Sequence, residues 1–244
     1  MSAVLVIAGT DSSGGAGLTR DVAALAHFGV DALCAVTAVT AQTDAAVLRI
    51  ERLPAAVVAA QIAAALASGR VAAVKTGMLG GAEVVEAVAG SLPAALPLIV
   101  DPVLAATSGS ALLEGAGRSA LIERLLPRAT LLTPNLAEAA QLLGTQPAVT
   151  EEQMIAQAEA LCARGAAAVL IKGGHAQLPL ATDWLIMSDG SRRSYSAARS
   201  SVQLRGTGCA LASAIAAGVA SGLELSTACA RAKTYVTDLL QQSR

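Results

Sequence analysis

The chain has 244 residues, of which 54% are hydrophobic, 14% are charged and 2% are aromatic, and its formal net charge is −1. This length allows a substantial core in one large α/β domain or in two small ones. The near-neutral charge and the scarcity of aromatic side chains argue against a nucleic-acid partner, which needs a basic surface or stacking platforms.

Apolar runs that suit buried strands alternate with helical segments from the start of the chain. The first run, residues 4–8, is unbroken and ends at a loop of small residues, 9–17. A helix is predicted over roughly residues 18–28, and the next strand over 33–40, which leads to Gln42.

The same alternation continues to the end of the chain. Further strands are predicted at residues 71–74, 98–100, 130–132 and 168–171, and helices after Pro54, at 83–88 and 121–126, from Thr150, and at 210–220 and 226–240. Between residues 182 and 195, an Asp189-Gly190 turn predicts an antiparallel hairpin at one edge of the sheet. Because no linker or internal repeat interrupts the pattern, we predict a single domain over residues 1–244. Its fold class is a doubly wound α/β fold with a mostly parallel sheet and helices on both faces.

The four cysteines, Cys34, Cys162, Cys209 and Cys229, form no Cys-x-x-Cys pair. They predict reduced thiols in a cytoplasmic protein and not a disulfide or zinc framework. No basic segment precedes the first apolar run, which argues against a signal peptide. The most apolar helix candidate, residues 55–66, is too short to span a bilayer, so no membrane partner is expected.

Polar side chains stand at or just after the carboxyl ends of five predicted strands. They are Gln42, Lys75, Asp101, Asn135 and Lys172. Open α/β sheets bind their ligands at this edge. Five polar residues there are more than loop capping requires, so we predict a binding site.

The segment Arg205-Gly206-Thr207-Gly208-Cys209 precedes an alanine-rich helical segment. Two glycines around a hydroxyl residue allow a tight turn with free backbone N–H groups at a helix N-terminus, where an anion is favoured. Cys209 falls in the first turn, a setting that lowers thiol pKa values to roughly 3.5–7.5. We predict a site for a phosphoryl group beside a proton acceptor; the alternative is a tight turn before a buried helix.

The loop at residues 9–17 is not a Walker A loop, because Gly15 and Ala16 stand where that motif has lysine and a hydroxyl residue. No G-x-G-x-x-G fingerprint follows a strand either, which argues against an NAD-dependent oxidoreductase. The small side chains suit close approach to a compact ligand. Asp21, one turn into the next helix, could reach that ligand or could only favour the helix N-terminus.

Four further residues suit a magnesium–phosphate site, and each has a simpler interpretation. Asp101 could bind Mg²⁺ or cap a loop. Asn135 and Glu138, three residues apart, could both face the site or form only a helix cap. Lys172 could bind a phosphate or be a strand-end lysine whose head reaches water.

Seven motifs stand in order along nearly the whole chain. They are residues 8–17, Ala41-Gln42-Thr43, Lys75-Thr76-Gly77-Met78, Asp101-Pro102-Val103, Thr133-Pro134-Asn135-Leu136-Ala137-Glu138, Lys172-Gly173-Gly174-His175 and Gly206-Thr207-Gly208-Cys209. As a series they resemble the motifs of the hydroxymethylpyrimidine/phosphomethylpyrimidine kinases, and the set is highly specific although each member is weak. The resemblance implies a ribokinase-like fold and an enzyme of thiamine biosynthesis. With ATP and Mg²⁺ it would phosphorylate 4-amino-5-hydroxymethyl-2-methylpyrimidine and then its monophosphate.

The resemblance also implies roles for individual residues. Gln42 would bind the aminopyrimidine edge, helped by Gly9 and Asp21, with Met78 and Val103 as apolar walls. The Gly206, Thr207, Gly208 and Cys209 loop would be the anion hole, with Cys209 standing where related sugar kinases carry an aspartate base. The ATP phosphates and Mg²⁺ would be handled by Lys172, Asn135, Glu138 and Asp101, with Asp101 and Glu138 on the metal and Lys233 near the adenine. Because the family commonly forms dimers, a homodimer is expected.

The chain departs from the family pattern just before the anion loop. Gln203-Leu204-Arg205 replaces the usual Asn-Thr-His, although Arg205 could still bind nucleotide phosphates. Leu104 and Thr107 stand where many members have methionine and lysine.

Two alternatives to the pyrimidine kinase stay open on the sequence. The first is a pyridoxal-type kinase on the same scaffold, but the Gln42 amide both donates and accepts, which suits an aminopyrimidine better than a pyridine phenol. The second is a weakly catalytic pyrimidine-binding protein, suggested by the altered loop before Gly206.

Overall fold

The computed structural model describes residues 2–106, 109–113, 115–174, 179–202 and 204–242. The strands are β1 (Ala3–Ala8), β2 (Asp31–Val36), β3 (Ala38–Gln42), β4 (Val47–Arg52), β5 (Val71–Thr76), β6 (Leu98–Val100), β7 (Leu131–Leu132), β8 (Ala168–Ile171), β9 (Leu180–Met187) and β10 (Arg192–Ala198). The helices are α1 (Gly17–His27), α2 (Ala55–Ala67), α3 (Ala82–Ser91), α4 (Ala116–Ala120), α5 (Leu136–Leu143), α6 (Glu151–Ala163), α7 (Thr207–Ala220) and α8 (Leu225–Gln242). A π-helical turn and a 3₁₀ turn extend α4 to Arg128.

Eight strands form one sheet in the order β10-β9-β8-β7-β6-β5-β1-β2. Neighbouring strands pair in parallel along the run β8-β7-β6-β5-β1-β2, whereas β9 is antiparallel to both β8 and β10. The predicted fold class, a mostly parallel sheet between helices, is confirmed, and so is the antiparallel hairpin at its edge.

Strand β1 is an unbroken apolar run because helices cover both of its faces. All six of its residues are buried. Leu5 and Ile7 belong to the core that includes α2, α3, α5 and α6, whereas Val4 and Val6 belong to the core that includes α1, α7 and α8. Successive side chains of a strand point to opposite faces, so both faces of β1 must be apolar.

The strand predicted over residues 33–40 is wrong as a single element. It divides at Thr37, whose N–H donates to Ala8 O (3.0 Å) and whose hydroxyl donates to Met78 O (2.6 Å). Beyond Thr37 the chain leaves the main sheet, and β3 pairs with β4 in a separate two-stranded antiparallel sheet. We call residues 38–52 the β3–β4 hairpin. The polar strand β4 carries no apolar run and was not predicted.

The four cysteines are free thiols, as the sequence predicted. Across the described ranges, no helix combines the length and the apolar character needed to cross a bilayer.

Candidate active site

Side chains of alternating charge line the carboxyl edge of the sheet. Lys75 Nζ lies 2.8 Å from Asp21 Oδ1 and 4.0 Å from Asp101 Oδ2. Lys172 Nζ lies 3.2 Å from Asp101 Oδ1 and 3.9 Å from Glu138 Oε2. We call these five residues, Asp21, Lys75, Asp101, Lys172 and Glu138, the charged row. The predicted clustering at the strand ends of the main sheet is confirmed for Lys75, Asp101 and Lys172. It is wrong for Gln42, which ends β3 in the separate two-stranded sheet.

The inner end of the charged row is fully buried. Neither Lys75 nor Asp21 has exposed surface, and the Ser213 hydroxyl of α7 also donates to Asp21 Oδ1 at 2.7 Å. Burial alone would lower the pKa of Lys75, but Asp21, Cys209 and Asp101 outweigh it and raise that pKa above its ordinary value. Burial raises the pKa of Asp21, and the Lys75 ammonium opposes that shift.

Asp21 therefore has a different position from the one expected for a ligand contact. Its side chain is turned inward to Lys75, because a fully buried ammonium group needs a carboxylate partner. Lys75 was predicted at the carboxyl edge of the sheet without a role. In the structure it is the buried cation that pairs with Asp21. Ser213, within an alanine-rich helix, gave no signal in the sequence.

The anion loop is built as the glycine pattern predicted. Gly206 has a φ of 73° and precedes α7, which begins at Thr207. A Cβ at Gly206 would overlap the carbonyl oxygen of Gly15, so only glycine allows this approach to the loop after β1. A Cβ at Gly208 would lie 3.2 Å from Lys172 Nζ. The Lys172 ammonium thus lies beside the first turn of α7, where helix N–H groups already favour an anion.

The expected low pKa of Cys209 is wrong. Burial raises the pKa of its thiol to about 12, and the charges of Asp21 and Asp101 add to that shift. Lys75 and the backbone N–H of Gly17 oppose it without reversing it. The helix N-terminus alone would favour a thiolate, but the loss of solvation outweighs it.

Asn135 and Glu138 form the helix cap that was the simpler interpretation. Asn135 Oδ1 accepts from Glu138 N (2.9 Å), and Glu138 Oε2 accepts from Asn135 N (2.7 Å), which together make a capping box at the start of α5. The same Glu138 oxygen faces Lys172. Burial raises the pKa of Glu138 to about 7; the Asp101 charge adds to the shift, and Lys172 and Asn135 oppose it.

The fit of a magnesium ion rests on the oxygens of Asp101 and Glu138, which flank the Lys172 ammonium. Among the residues that the structure describes, no group of three or more His, Cys, Asp or Glu side chains could hold a metal ion alone. Mg²⁺ commonly takes only one or two carboxylates and completes its shell with water and phosphate oxygens. The pair fits such an ion, provided that phosphates bind with it.

The residues expected to bind a ring lie beside the end of β1. A Cβ at Gly9 would lie 3.0 Å from Met78 Sδ, so Gly9 and Met78 are in close contact. Met78 and Val103 share a small apolar cluster with Ala38 of the β3–β4 hairpin. Gln42, at the end of β3, donates its backbone N–H to Ser12 Oγ at 2.8 Å.

Arg205 does not point toward the charged row. Its guanidinium donates to Asp11 Oδ2 (2.9 Å), Ser13 Oγ (2.8 Å), Thr43 O (3.1 Å) and Asp44 Oδ1 (3.1 Å). Two carboxylates already neutralise this cation, so the expected role on nucleotide phosphates is not supported by its contacts. Asp11 and Asp44 supplied no signal, because they are distant from Arg205 in the sequence.

Lys233 is connected to the site through a residue that sequence reasoning missed. Its Nζ lies 2.8 Å from Asp183 Oδ2, and Asp183 Oδ1 accepts from Gly173 N at 2.9 Å. The one signal in the sequence was an aspartate among the apolar residues of β9, and the structure shows that this aspartate is buried. Three residues noted in the sequence, Thr107, His175 and Gln203, lie outside the described residues.

The chain is similar to known proteins in both sequence and fold. The family model described as phosphomethylpyrimidine kinase matches residues 11–244. A hydroxymethylpyrimidine/phosphomethylpyrimidine kinase of Rhizobium meliloti is 43% identical over 233 residues, which cover 95% of this chain and 88% of that protein. The phosphomethylpyrimidine kinase structure from Clostridium difficile is 32% identical with a TM-score of 0.86, covering 98% of this chain and all of that one. A Staphylococcus aureus pyridoxal kinase in complex with AMP-PCP is 30% identical with a TM-score of 0.88, covering 97% and 87% of the two chains.

Proposed function

Because the chain belongs to the phosphomethylpyrimidine kinase family and is a kinase, we propose that it makes the pyrimidine diphosphate used in thiamine biosynthesis. It transfers the γ-phosphoryl group of ATP to 4-amino-5-hydroxymethyl-2-methylpyrimidine and then to the resulting monophosphate. We expect the enzyme to act as a cytoplasmic homodimer.

The observation that carries this proposal is the position of Lys172 beside Gly208 at the first turn of α7. An ammonium group and helix N–H groups that converge on one point suit the charge of a transferring phosphoryl group. Phosphoryl transfer needs mainly positioning and charge stabilisation, because its transition state is loose. Asp101 holds the Lys172 ammonium and Lys75 lies behind Asp101, so the cation is fixed before a nucleotide binds.

Cys209 acts in this proposal as a neutral group of the anion hole. With a pKa of about 12 its thiol stays protonated near neutral pH, and a protonated thiol cannot accept the proton of the attacking hydroxyl. A negatively charged phosphate nearby would oppose ionisation further. The base role implied by the resemblance is therefore not part of our proposal.

Asp101 and Glu138 are the residues that would hold a magnesium ion. When bound with ATP, this ion supplies charge neutralisation of the phosphate oxygens. Glu138 also fixes the start of α5 through its capping box with Asn135, and Asp183 fixes the Gly173 amide and Lys233. We assign Lys233 to the nucleotide side of the site on the resemblance alone.

Gln42 favours a pyrimidine over pyridoxal as the acceptor. The overall fold does not distinguish them, since solved kinases named for either substrate have similar TM-scores to this chain. An amide presents both a donor and an acceptor, as an aminopyrimidine edge requires. Gly9 gives the ring close access to the backbone, and Met78 and Val103 supply apolar contacts.

The test is an ATP-consumption assay with the hydroxymethylpyrimidine, its monophosphate and pyridoxal supplied separately, with and without Mg²⁺. We expect Mg²⁺-dependent turnover of both pyrimidines and none of pyridoxal. Turnover of pyridoxal alone would overturn the role of Gln42. Pyrimidine binding without turnover of any substrate would contradict the proposed kinase reaction and favour a binding protein.

A further inference from the structure

Arg205 joins three loops that meet at the site, and we propose that it is a positioning residue that latches the β3–β4 hairpin and so holds Gln42 in place. The loops are the one after β1, the turn of the β3–β4 hairpin and the anion loop before α7. The effect on catalysis rests on the proposed function, but the latch itself is a property of the free protein.

The inner half of the latch is buried and firmly held. Arg205 pairs with Asp11 at 2.9 Å, where the two side chains are only 14% and 3% exposed. The other oxygen of Asp11 accepts from the backbone N–H (2.9 Å) and the hydroxyl (2.8 Å) of Ser13. Ser13 Oγ also accepts from Arg205. The loop after β1 is thus a fixed anchor for the guanidinium.

The outer half of the latch is exposed and easily released. Arg205 donates to Thr43 O and Asp44 Oδ1, each at 3.1 Å, but the Asp44 side chain is 90% exposed. Exposed ion pairs contribute little and weaken as salt is added. The hairpin turn at Thr43 and Asp44 can therefore leave Arg205 while Arg205 stays on Asp11, and Thr40 still holds β3 to Thr10 O at 2.8 Å.

The latch reaches Gln42 through one peptide unit. Thr43, whose carbonyl Arg205 binds, directly follows Gln42. Gln42 itself accepts from Ser12 Oγ through its carbonyl (2.9 Å) and donates to the same oxygen through its N–H (2.8 Å). Release of Thr43 and Asp44 leaves Gln42 held to the loop after β1 by Ser12 and, two residues earlier, by Thr40, whose hydroxyl donates to Thr10 O at 2.8 Å.

An arginine is required for this arrangement because its planar group donates to several acceptors at once. A lysine at position 205 keeps the charge but cannot reach Asp11 and the hairpin together in the same geometry. Arg205 directly precedes Gly206, so the same residue ties the ring side of the site to the anion loop.

The first experiment measures backbone amide exchange at Gln42 and across the β3–β4 hairpin by NMR, in the ligand-free protein. We expect Asp44→Asn to speed exchange roughly twofold to fivefold, as loss of an exposed pair allows, and Arg205→Lys to speed it by about tenfold or more. Glu51→Gln is the matched control, since it removes another exposed carboxylate of this hairpin, paired with Arg49 at 3.0 Å. Exchange in Asp44→Asn no faster than in Glu51→Gln would overturn the latch.

The second experiment measures steady-state kinetics of Asp44→Asn with the hydroxymethylpyrimidine. We expect a KM for the pyrimidine raised roughly twofold to fivefold with kcat unchanged, and a KM in the unmodified enzyme that rises toward it with salt. Faster exchange with an unchanged KM would overturn the positioning of Gln42. An inactive enzyme in every form would contradict the proposed function, while amide exchange would still decide the latch.

Discussion

The ammonium group of Lys75 lies 2.8 Å from Asp21 Oδ1, and neither side chain has any exposed surface. The pair ties β5 to α1, and Ser213 of α7 donates to the same carboxylate oxygen. Such a pair is costly to form from water, but removal of one partner leaves an uncompensated charge in the interior. The charged row therefore depends on both residues being present.

Replacement of Lys75 by methionine should lower the free energy of unfolding by about 3–5 kcal/mol, because Asp21 is left buried without its cation. Urea denaturation followed by circular dichroism measures this loss. Arg70→Gln is the control, since it breaks the Arg70–Asp31 pair at 2.7 Å, whose side chains are 44% and 47% exposed. That loss should stay below about 1 kcal/mol. Equal losses in the two variants would show that the buried pair stabilises the protein no more than the exposed pair does.

Folding stability should fall as the pH rises above the thiol pKa of the unfolded chain, roughly 8.5. Burial raises the pKa of Cys209 to about 12 in the folded protein, so in this range the folded state binds more protons than the unfolded state. The stabilising contribution is complete below the unfolded pKa and is lost as the pH rises through the folded value. Urea denaturation under reducing conditions at several alkaline pH values should show a shallower decline for Cys209→Ala. An identical decline in both proteins would contradict the raised pKa.

Cys209→Ala should slow both phosphorylation steps by similar factors, because a neutral thiol contributes to the anion hole in each. A thiolate base would matter mainly in the first step, where a hydroxyl attacks, and less in the second, where the acceptor is already an anionic phosphate. Single-turnover rates with the hydroxymethylpyrimidine and with its monophosphate separate the two outcomes. A loss confined to the first step would restore the base role to Cys209.

Gly208→Ala should lower kcat roughly twofold to fivefold, because a methyl group 3.2 Å from Lys172 Nζ forces the ammonium to move by a few tenths of an ångström. Gly90→Ala in α3 is the matched control. A Cβ there meets no atom within 4 Å, and alanine should stabilise that helix by about 0.5–1 kcal/mol without altering kcat. Steady-state kinetics and thermal unfolding of both variants provide the test. Full activity in Gly208→Ala would show that the position of the Lys172 ammonium does not affect phosphoryl transfer.

The sequence by itself determined the order of most strands and helices and the edge of the sheet that carries the site. This was possible because hydrophobic period, glycine turns and helix caps are local properties. Strand β1 is apolar on both faces and buried on both, and Thr150 caps the start of α6 with a hydroxyl that accepts from Gln153 N. Gly206 adopts the left-handed turn before α7 that its neighbours predicted.

Only the tertiary structure decided how the polar side chains are paired and how strongly they are buried. Lys75 and Asp21 are 54 residues apart, and Arg205 and Asp11 are 194 apart, so no local pattern links them. The same applies to Cys209, whose helix position predicted a low pKa and whose burial gives a high one. The pKa of a thiol and the partner of a guanidinium depend on groups that folding brings together, and their solvation is lost only when the sheet and helices close around them.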